Sequence, residues 1–205
     1  MKTCVIFGAG EYDAQTPARA PGSLFIAADG GLTAMLARGF EPDLLIGDFD
    51  SLGGTPPQGV PVITLPVEKD VTDTHAAAAE GIKRGCTRFE IYGGLGGRPD
   101  HSLANLSLLA ELSQQGKEAW LYGADFAVTA VTDGEIRFPA GKTGAAAVFS
   151  WTDESRGVTI RGMKYGLENG VLRSTFALGV SNSFTGESAA VRVEHGTLLI
   201  MAETT

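Results

Sequence analysis

The feature that most constrains the fold of this sequence is a regular alternation of short apolar runs with helix-forming segments up to about residue 125. Such an alternation is typical of a parallel sheet whose strands are joined by helices. The predicted strands are "TCVIFG", "SLFIAAD", "DLLIGD", "PVITLP", "RFEIYGG" and "AWLYGA", and the predicted helices are "GLTAMLARGF", "DTHAAAAEGIKRG" and "DHSLANLSLLAELSQQG". The last two helices end near a glycine that can close them. In the third, Leu103, Leu106 and Leu109 share a face, which predicts packing against the sheet.

After residue 125 the sequence contains only short β-branched runs, separated by the turn-forming pairs "DG", "NG" and "HG". A region of about 80 residues with this pattern predicts a small sandwich or barrel. The predicted fold is therefore α/β. A Rossmann-like parallel sheet domain covers residues 1–125, and a small all-β sandwich domain covers residues 126–205.

The charge of the chain restricts its partners. The formal net charge is −8 and no run of Lys or Arg is present, which argues against nucleic acid and anionic membranes. Apolar stretches stay shorter than the roughly 18 residues of a membrane span, and the start lacks the pattern of a secretion signal. We expect a soluble cytoplasmic protein in which Cys4 and Cys86 are reduced and buried.

Carboxylates follow several of the predicted strands. Asp29 ends the second strand, Asp48 and Asp50 end the third, and Asp70 and Asp73 follow the fourth. Ligands of a doubly wound sheet bind beyond the carboxyl ends of its strands, where these residues come together. Like charges at one edge repel unless a cation compensates them, and hard oxygen ligands favour Mg²⁺. The spacing alone leaves open a simple turn, in which aspartates bond to the nearby backbone.

The segment "GGLGGRPDH", residues 93–101, carries a more specific signal. Four glycines in five positions let backbone N–H groups approach a phosphate, and Arg98 adds a forked charge. The alternative is a surface loop in which Asp100 caps the following helix. Further upstream, Thr72 or Asp73 is expected to cap the alanine-rich helix. Both the complete dinucleotide fingerprint and the Walker A loop are missing from the sequence.

Six motifs, taken in order, resemble those of the thiamine pyrophosphokinase family. They are "ADGG", "GDFDS", "KDVTD", "GGLGGRPDH", "GMKYGL" and "GVSNSF", and the likeness runs from about residue 27 to residue 202. The resemblance implies transfer of pyrophosphate from ATP to the hydroxyl of thiamine, giving thiamine diphosphate and AMP, with Mg²⁺ required. It also implies a homodimer with shared active sites, in which the β domain of one subunit helps to bind thiamine for the other.

The resemblance also implies roles for individual residues. The metal ligands are Asp48, Asp50 and Asp73, the catalytic residues are Asp73, Arg98 and Asp100, and the thiamine-binding residues are Ser181 and Asn182. The nucleotide-binding residues are Asp29, Gly30, Gly31, Gly94, Gly96, Gly97 and Arg98. Lys69 is predicted as a further nucleotide-binding residue that contacts a phosphate, although other members of the family have an uncharged residue at this position. For the aromatic side chain against the thiamine rings, both Tyr165 and Phe184 follow matching motifs. For the proton acceptor we favour Asp100 over Asp73, because a carboxylate bound to Mg²⁺ is a poor base.

Three other functions compete with this interpretation. The loop "DFDSL" is similar to the nucleophile loop of haloacid-dehalogenase-like phosphatases, although Leu52 departs from that pattern. A glycosyltransferase that uses a DxD metal site is a second alternative, but it gives "GGLGGRPDH" no role. The third is a non-catalytic nucleotide-binding sensor, which fold and site residues alone do not distinguish from an enzyme.

Overall fold

The computed structural model of this chain describes residues 1–12, 17–47, 57–66, 68 and 70–204. These residues form two compact units. The first unit contains Met1–Leu108 and Ala119–Ala124, and the second contains Leu109–Glu118 and Asp125–Thr205.

The first unit contains the predicted alternation of strands and helices. Its strands are β1 (Thr3–Phe7), β2 (Leu24–Ala28), β3 (Leu44–Gly47), β4 (Val62–Thr64), β5 (Arg88–Tyr92) and β6 (Glu118–Tyr122), and its helices are α1 (Gly31–Ala37), α2 (Asp73–Lys83) and α3 (Pro99–Gln114), of which the last turns belong to the second unit. Strand β1 pairs in parallel with both β2 and β5, and β2, β3 and β4 follow in parallel order. The strand order therefore reverses between β1 and β5, which is the position where such sheets bind ligands.

The buried strands explain why this unit folds. Every residue of β2 and β3 is buried, as expected for a parallel sheet covered on both faces. Phe7 stacks on Tyr92 with ring centroids 5.6 Å apart, next to the buried Phe25 and Met35. Strand β4 is short and its Val62 is exposed, which suits the edge of a sheet.

Helix α3 corrects one prediction. Of the predicted face, Leu109 is fully buried but Leu103 is 58% exposed, so the face is not buried as a whole. The buried face instead contains Asn105, Leu109 and Leu112, at spacings of four and three residues. The polar Asn105 is buried because its side chain bonds to the glycine loop described below, which a purely apolar pattern does not anticipate.

The predicted helix ends are confirmed. After α2, Gly85 has a φ of 79° and its N–H donates to the Ile82 carbonyl at 2.9 Å. After α3, Gly116 has a φ of 69° and its N–H donates to the Ser113 carbonyl at 2.9 Å. Glycine adopts this left-handed conformation without a steric penalty, so each helix stops there.

The second unit is built from antiparallel strands. They are β7 (Phe126–Thr132), β8 (Glu135–Phe138), β9 (Thr143–Ser150), β10 (Glu154–Arg161), β11 (Leu167–Arg173), β12 (Gly179–Thr185), β13 (Ala189–Arg192) and β14 (Thr197–Glu203). In one group β14 pairs with β7 and β9, and β9 pairs with β12. In the other, β10 pairs with β11 and β13, and β13 pairs with β8.

The three predicted turns of this unit have different outcomes. Asp133-Gly134 and His195-Gly196 lie between strands, as predicted. Asn169-Gly170 instead lies inside β11, where the pairing with β10 shifts register. Asn169 has a φ of 48°, so Asn169-Gly170 forms a bulge within β11 and does not end the strand.

Two smaller predictions concern cysteines and membranes. Cys4 and Cys86 are both buried free thiols, as predicted. Among the helices of the described ranges, none has both the length and the apolar character that crossing a bilayer requires.

Candidate active site

The candidate active site is a cleft of about 340 Å³ in the first unit, beyond the carboxyl ends of β1, β2 and β5. This volume lies within the usual range for a small-molecule pocket. Five residues predicted to bind the nucleotide line it together: Asp29, Gly94, Gly96, Gly97 and Arg98. The structure therefore brings together side chains and glycines that are as much as 69 positions apart in the sequence, from Asp29 to Arg98.

The cleft is shaped by two backbone segments that are joined by hydrogen bonds. The N–H of Gly8 donates to the Tyr92 carbonyl at 2.8 Å, and the N–H of Gly10 donates to the Gly93 carbonyl at 2.7 Å. Glu11 continues the pairing with the Leu95 carbonyl at 2.9 Å. The extension of β1 thus holds the glycine loop, residues 93–97, in place.

Glycine is required at these positions because the two segments approach so closely. A Cβ on Gly8 would lie 2.8 Å from the Gly93 carbonyl oxygen, and one on Gly10 would lie 2.6 Å from that of Leu95. A Cβ on Gly94 would lie 2.2 Å from the Leu121 side chain. The glycine loop is recognisable in the sequence, but its dependence on Gly8 and Gly10 is not.

The glycine loop already binds one carboxylate of the chain. The N–H of Gly97 donates to Glu11 Oε1 at 3.2 Å, and a Cβ on Gly96 would lie 2.4 Å from the Glu11 carboxyl carbon. Gly96 and Gly97 both have positive φ, at 80° and 64°. An amide that bonds a carboxylate oxygen has the chemistry needed to bond a phosphate oxygen. Glu11 was missed in the sequence, since nothing in its spacing connects it with a loop 86 positions away.

Arg98 and Asp100 form a forked ion pair at the end of the glycine loop. Arg98 donates from Nη2 to Asp100 Oδ2 at 2.6 Å and from Nε to Oδ1 at 3.2 Å. Their side chains are 70% and 63% exposed, so both face solvent. The hydrogen bonds from Arg98 lower the pKa of the Asp100 carboxyl.

The predicted cap of α3 is wrong. The helix begins at Pro99, so Asp100 is its second residue and not the residue before it. Proline suits the first helical position because a backbone N–H at that position has no partner within the helix, so its absence costs nothing. Asp100 still accepts from the His101 N–H, at 3.0 Å.

Asp29 is held at the end of β2 in an unusual backbone conformation. Its φ is 45°, and its N–H donates to the Ile46 carbonyl of β3 at 2.8 Å. Gly30 precedes α1, and Gly31 begins it. A Cβ on Gly31 would lie 2.0 Å from the Phe7 carbonyl oxygen, so only glycine allows α1 to start against β1. Of the predicted group, Asp29 lines the cleft, and Gly30 and Gly31 connect it to α1.

The start of α2 lies at the same cleft. Thr72 is the cap, since its Oγ1 accepts from the His75 N–H at 3.2 Å, which resolves the choice between Thr72 and Asp73. Asp73 is the first residue of the helix and is half-buried. Thr74 follows it and lines the cleft. Thr72 and Asp73 were predicted from the sequence, but Thr74 was not.

Asn105 connects α3 to the glycine loop. It is 5% exposed, and its Nδ2 donates to the Gly94 carbonyl at 2.7 Å. This bond keeps the Gly94 carbonyl directed at the helix. A signal for Asn105 was available in the sequence, because a polar residue at the spacing of Leu109 and Leu112 breaks an otherwise apolar face.

Three predicted site residues, Asp48, Asp50 and Lys69, lie outside the described residues. Within the described ranges, no group of three or more His, Cys, Asp or Glu side chains is arranged to hold a metal ion. Two of the three proposed magnesium ligands are not among those ranges. The magnesium site therefore stays a prediction.

The second unit contains the residues predicted to bind thiamine. Asn182 is buried, and its amide bonds to both backbone groups of Tyr165: Oδ1 accepts from the N–H at 2.9 Å and Nδ2 donates to the carbonyl at 2.8 Å. The neighbouring Ser181 is exposed and has a φ of 59°. Asn182 therefore fixes the position of Tyr165.

The two candidate aromatic side chains differ in exposure. Phe184 is 4% exposed and packs on Phe138, with ring centroids 4.9 Å apart. Tyr165 is 57% exposed and borders a largely apolar pocket of about 280 Å³, together with Leu178, Val180 and Asn182. Only Tyr165 of the two is accessible to a ligand.

Known proteins with similar sequences point to one family. The family model for the catalytic domain of thiamin pyrophosphokinase matches residues 20–121, and the model for its vitamin B1 binding domain matches residues 135–199. A thiamine pyrophosphokinase of Bacillus subtilis is 24% identical over 188 residues, which cover 89% of this chain and 88% of that protein.

Solved structures are also similar to this chain. The crystal structure of thiamine pyrophosphokinase from Bacillus subtilis has a TM-score of 0.87 at 22% identity and covers 100% of this chain and 99% of its own. A family protein from Enterococcus faecalis has a TM-score of 0.80 at 26% identity, with 100% of both chains covered. Because the two family models together match more than half of the sequence, the chain belongs to the thiamine pyrophosphokinase family and is an enzyme that forms thiamine diphosphate from thiamine.

Proposed function

We propose that this enzyme takes the pyrophosphoryl group from ATP in a Mg²⁺-dependent reaction. The hydroxyl oxygen of thiamine attacks the β-phosphorus of ATP, and the bond from that phosphorus to the oxygen bridging to the α-phosphate breaks. The products are thiamine diphosphate and AMP, and the hydroxyl proton is released. We further propose that the active enzyme is a homodimer.

The observation that carries this proposal is the phosphate-binding chemistry of the cleft in the first unit. The glycine loop presents backbone amides, of which that of Gly97 already bonds a carboxylate, and Arg98 lies at the end of the loop. Phosphoryl transfer depends on positioning and on neutralising negative charge more than on covalent help from the protein. Loop amides and a guanidinium supply both.

The pairing with Arg98 bears on the role of Asp100. A carboxylate whose pKa is lowered by a guanidinium is a weaker base than an ordinary one. This makes Asp100 a poorer proton acceptor than its position in the motif suggests. We propose that Asp100 mainly orients Arg98 towards the phosphates.

The proposed magnesium ligands are Asp48, Asp50 and Asp73. All three offer hard carboxylate oxygens, which suit Mg²⁺, and Asp73 stands at the start of α2 beside the cleft-lining Thr74. A bound Mg²⁺ would neutralise charge on the phosphates of ATP. Such neutralisation would matter here, because the enzyme has a net charge of −8 and its ligand is a triphosphate.

We propose that Tyr165 is the aromatic platform for the cationic thiazolium ring of thiamine. Its ring already attracts a cation, since Lys164 Nζ lies 5.1 Å from the ring centroid. The two residues predicted to bind thiamine, Ser181 and Asn182, are proposed to have different roles. The exposed Ser181 is available to the ligand, and Asn182 holds the Tyr165 backbone.

Replacing Tyr165 with alanine is expected to raise the KM for thiamine by about tenfold, because a cation over an aromatic ring is stabilised by about 1 kcal/mol or more. The KM for ATP is expected to change little. Tyr165→Phe is the matched control, since it keeps the ring and removes only the hydroxyl. Steady-state kinetics with each substrate varied in turn would measure both effects, and an unchanged KM for thiamine in Tyr165→Ala would contradict the assignment.

The proposed dimer contact is the apolar surface of the second unit around β11 and β12. Val171, Phe176, Leu178 and Val180 are 45%, 66%, 55% and 50% exposed, which is unusual for large apolar side chains near each other in sequence. Such a surface is typical of a protein contact. It includes two residues that border the Tyr165 pocket, which suits a thiamine site shared between subunits.

Replacing Phe176 with aspartate is expected to shift the enzyme from dimer towards monomer, because a charge in an apolar contact loses its hydration. Analytical ultracentrifugation across a range of protein concentrations would measure the dissociation constant. Gln115→Asp, at an exposed position in a different part of the chain, makes the same change of charge and is the control. A monomeric wild-type enzyme with full activity would contradict the dimer itself.

The reaction is tested by its adenine product. Incubation with ATP, Mg²⁺ and thiamine is expected to give AMP and thiamine diphosphate in equal amounts, detected by chromatography. Formation of ADP, or release of phosphate from small esters without use of thiamine, would contradict the proposal. A cytoplasmic location stays a prediction, supported by the free thiols of Cys4 and Cys86.

A further inference from the structure

We propose that the Thr74 hydroxyl is a phosphate-binding group of this cleft and donates a hydrogen bond to a phosphate oxygen of ATP. This inference rests on the proposed function. It adds a residue that lies outside the matched motif residues and that the motif spacing does not identify.

The first observation is a hydroxyl at the wall of the cleft that has no partner among the described residues. Thr74 lines the cleft and is 9% exposed. Its Oγ1 lies 3.5 Å from the position that a Cβ on Gly8 would occupy, so it is next to the end of β1. Within the part of the chain that the structure describes, no hydrogen bond of this hydroxyl is found. A buried hydroxyl without a partner is costly, which favours a ligand as the missing partner.

The second observation is the position of Thr74 at the start of a helix. It is the second residue of α2, which has 11 residues, and the first-turn amides give this end of a helix a partial positive charge. The hydroxyl of Thr72 is already used, because it accepts from the His75 N–H. Thr72 and Thr74 therefore have different roles, the first within the chain and the second towards the cleft.

The surroundings favour a phosphate over the nucleoside as the ligand. The cleft wall around Thr74 includes the glycine loop and Arg98, which offer hydrogen-bond donors and positive charge. The donor amide of Asn105 is occupied by the Gly94 carbonyl. Asp73 precedes Thr74, so the phosphate is expected to bind as its magnesium complex.

The test compares three variants at Thr74 by calorimetry. Thr74→Val and Thr74→Ala remove the hydroxyl, and Thr74→Ser keeps it. The probes are a nonhydrolysable ATP analogue and pyrophosphate, both with Mg²⁺, and adenosine. We expect Thr74→Val and Thr74→Ala to bind the analogue and pyrophosphate about tenfold more weakly, with adenosine unchanged and Thr74→Ser close to wild type.

The thermal midpoint of the ligand-free protein separates this role from a structural one. Because the hydroxyl has no partner in the described part of the chain, its removal in Thr74→Val is expected to leave the midpoint unchanged or higher. Thr197→Val is the matched control, since Thr197 is 1% exposed and its hydroxyl bonds to that of Thr132 at 2.9 Å. The control is expected to lower the midpoint and leave binding of the analogue unchanged.

Two results would overturn the inference while leaving the proposed function intact. One is unchanged binding of the ATP analogue by both Thr74→Val and Thr74→Ala, and the other is an equal loss of adenosine binding. Wild-type protein that binds neither the analogue nor pyrophosphate would instead overturn the proposed function. If Thr74→Val does not fold, the comparison of Thr74→Ala with Thr74→Ser decides.

Discussion

Arg98→Ala is expected to lower kcat by about 10³-fold, the scale found when an arginine that neutralises a transferring phosphoryl group is removed. The side chain touches only Asp100 among the contacts of the described residues, and it is 70% exposed. Its loss should therefore leave the fold intact. Steady-state production of AMP measures kcat, and the thermal midpoint measures the fold.

Two variants control for charge and shape at Arg98. Arg98→Lys keeps the positive charge but loses the fork that binds two oxygens at once, so an intermediate loss is expected. Arg137→Ala removes another exposed arginine that pairs with a nearby carboxylate, that of Glu135 in the second unit, and is expected to keep full activity. An Arg98→Ala enzyme with near-normal kcat would remove Arg98 from the reaction.

Asp73→Asn is expected to reduce turnover by about 10²- to 10³-fold and to raise the Mg²⁺ concentration needed for half-maximal activity, because a neutral amide would replace a proposed carboxylate ligand. Asp73 also stands in the first turn of α2, where a negative charge contributes about 0.3–1 kcal/mol to helix stability. A small drop in the thermal midpoint is therefore expected as well. Activity measured over a Mg²⁺ titration separates the two effects.

Asp153→Asn provides the charge-matched control for Asp73. Asp153 is an exposed residue of the second unit, and the substitution changes the net charge by the same amount. It is expected to leave both turnover and the Mg²⁺ requirement unchanged. If Asp73→Asn shows a normal response to Mg²⁺ and only the small loss of stability, Asp73 is a helix-stabilising residue and not a metal ligand.

Most of the fold of the first unit could be predicted because its signals are local. Apolar runs of four to six residues marked the strands, and Gly85 and Gly116 marked the ends of two helices. The failures arose where a long-range contact decided the outcome. The buried face of α3 includes the polar Asn105, because its side chain bonds to the Gly94 carbonyl. Asn169 lies in a bulge because β10 and β11 remain paired on both sides of it.

The candidate site could be predicted only in part. The glycine loop, Arg98 and Asp29 were found from their own sequence motifs, and they line one cleft. Glu11 and Thr74 were missed, because their significance depends on which loop or cleft the fold places beside them. The proposed preference for Tyr165 over Phe184 was equally inaccessible, because it depends on exposure, which the motifs around the two residues do not reveal.

The close approach of Gly8 and Gly10 to the loop at residues 93–97 limits how this enzyme could be redesigned. A surface made of main-chain groups is difficult to alter by mutagenesis, because any side chain added at these glycines would push the two segments apart. Attempts to make the enzyme accept a different phosphate donor would have to work through the few side chains that reach the cleft, such as Thr74 and Asn105. Variation in donor preference among engineered forms should accordingly be concentrated at these positions.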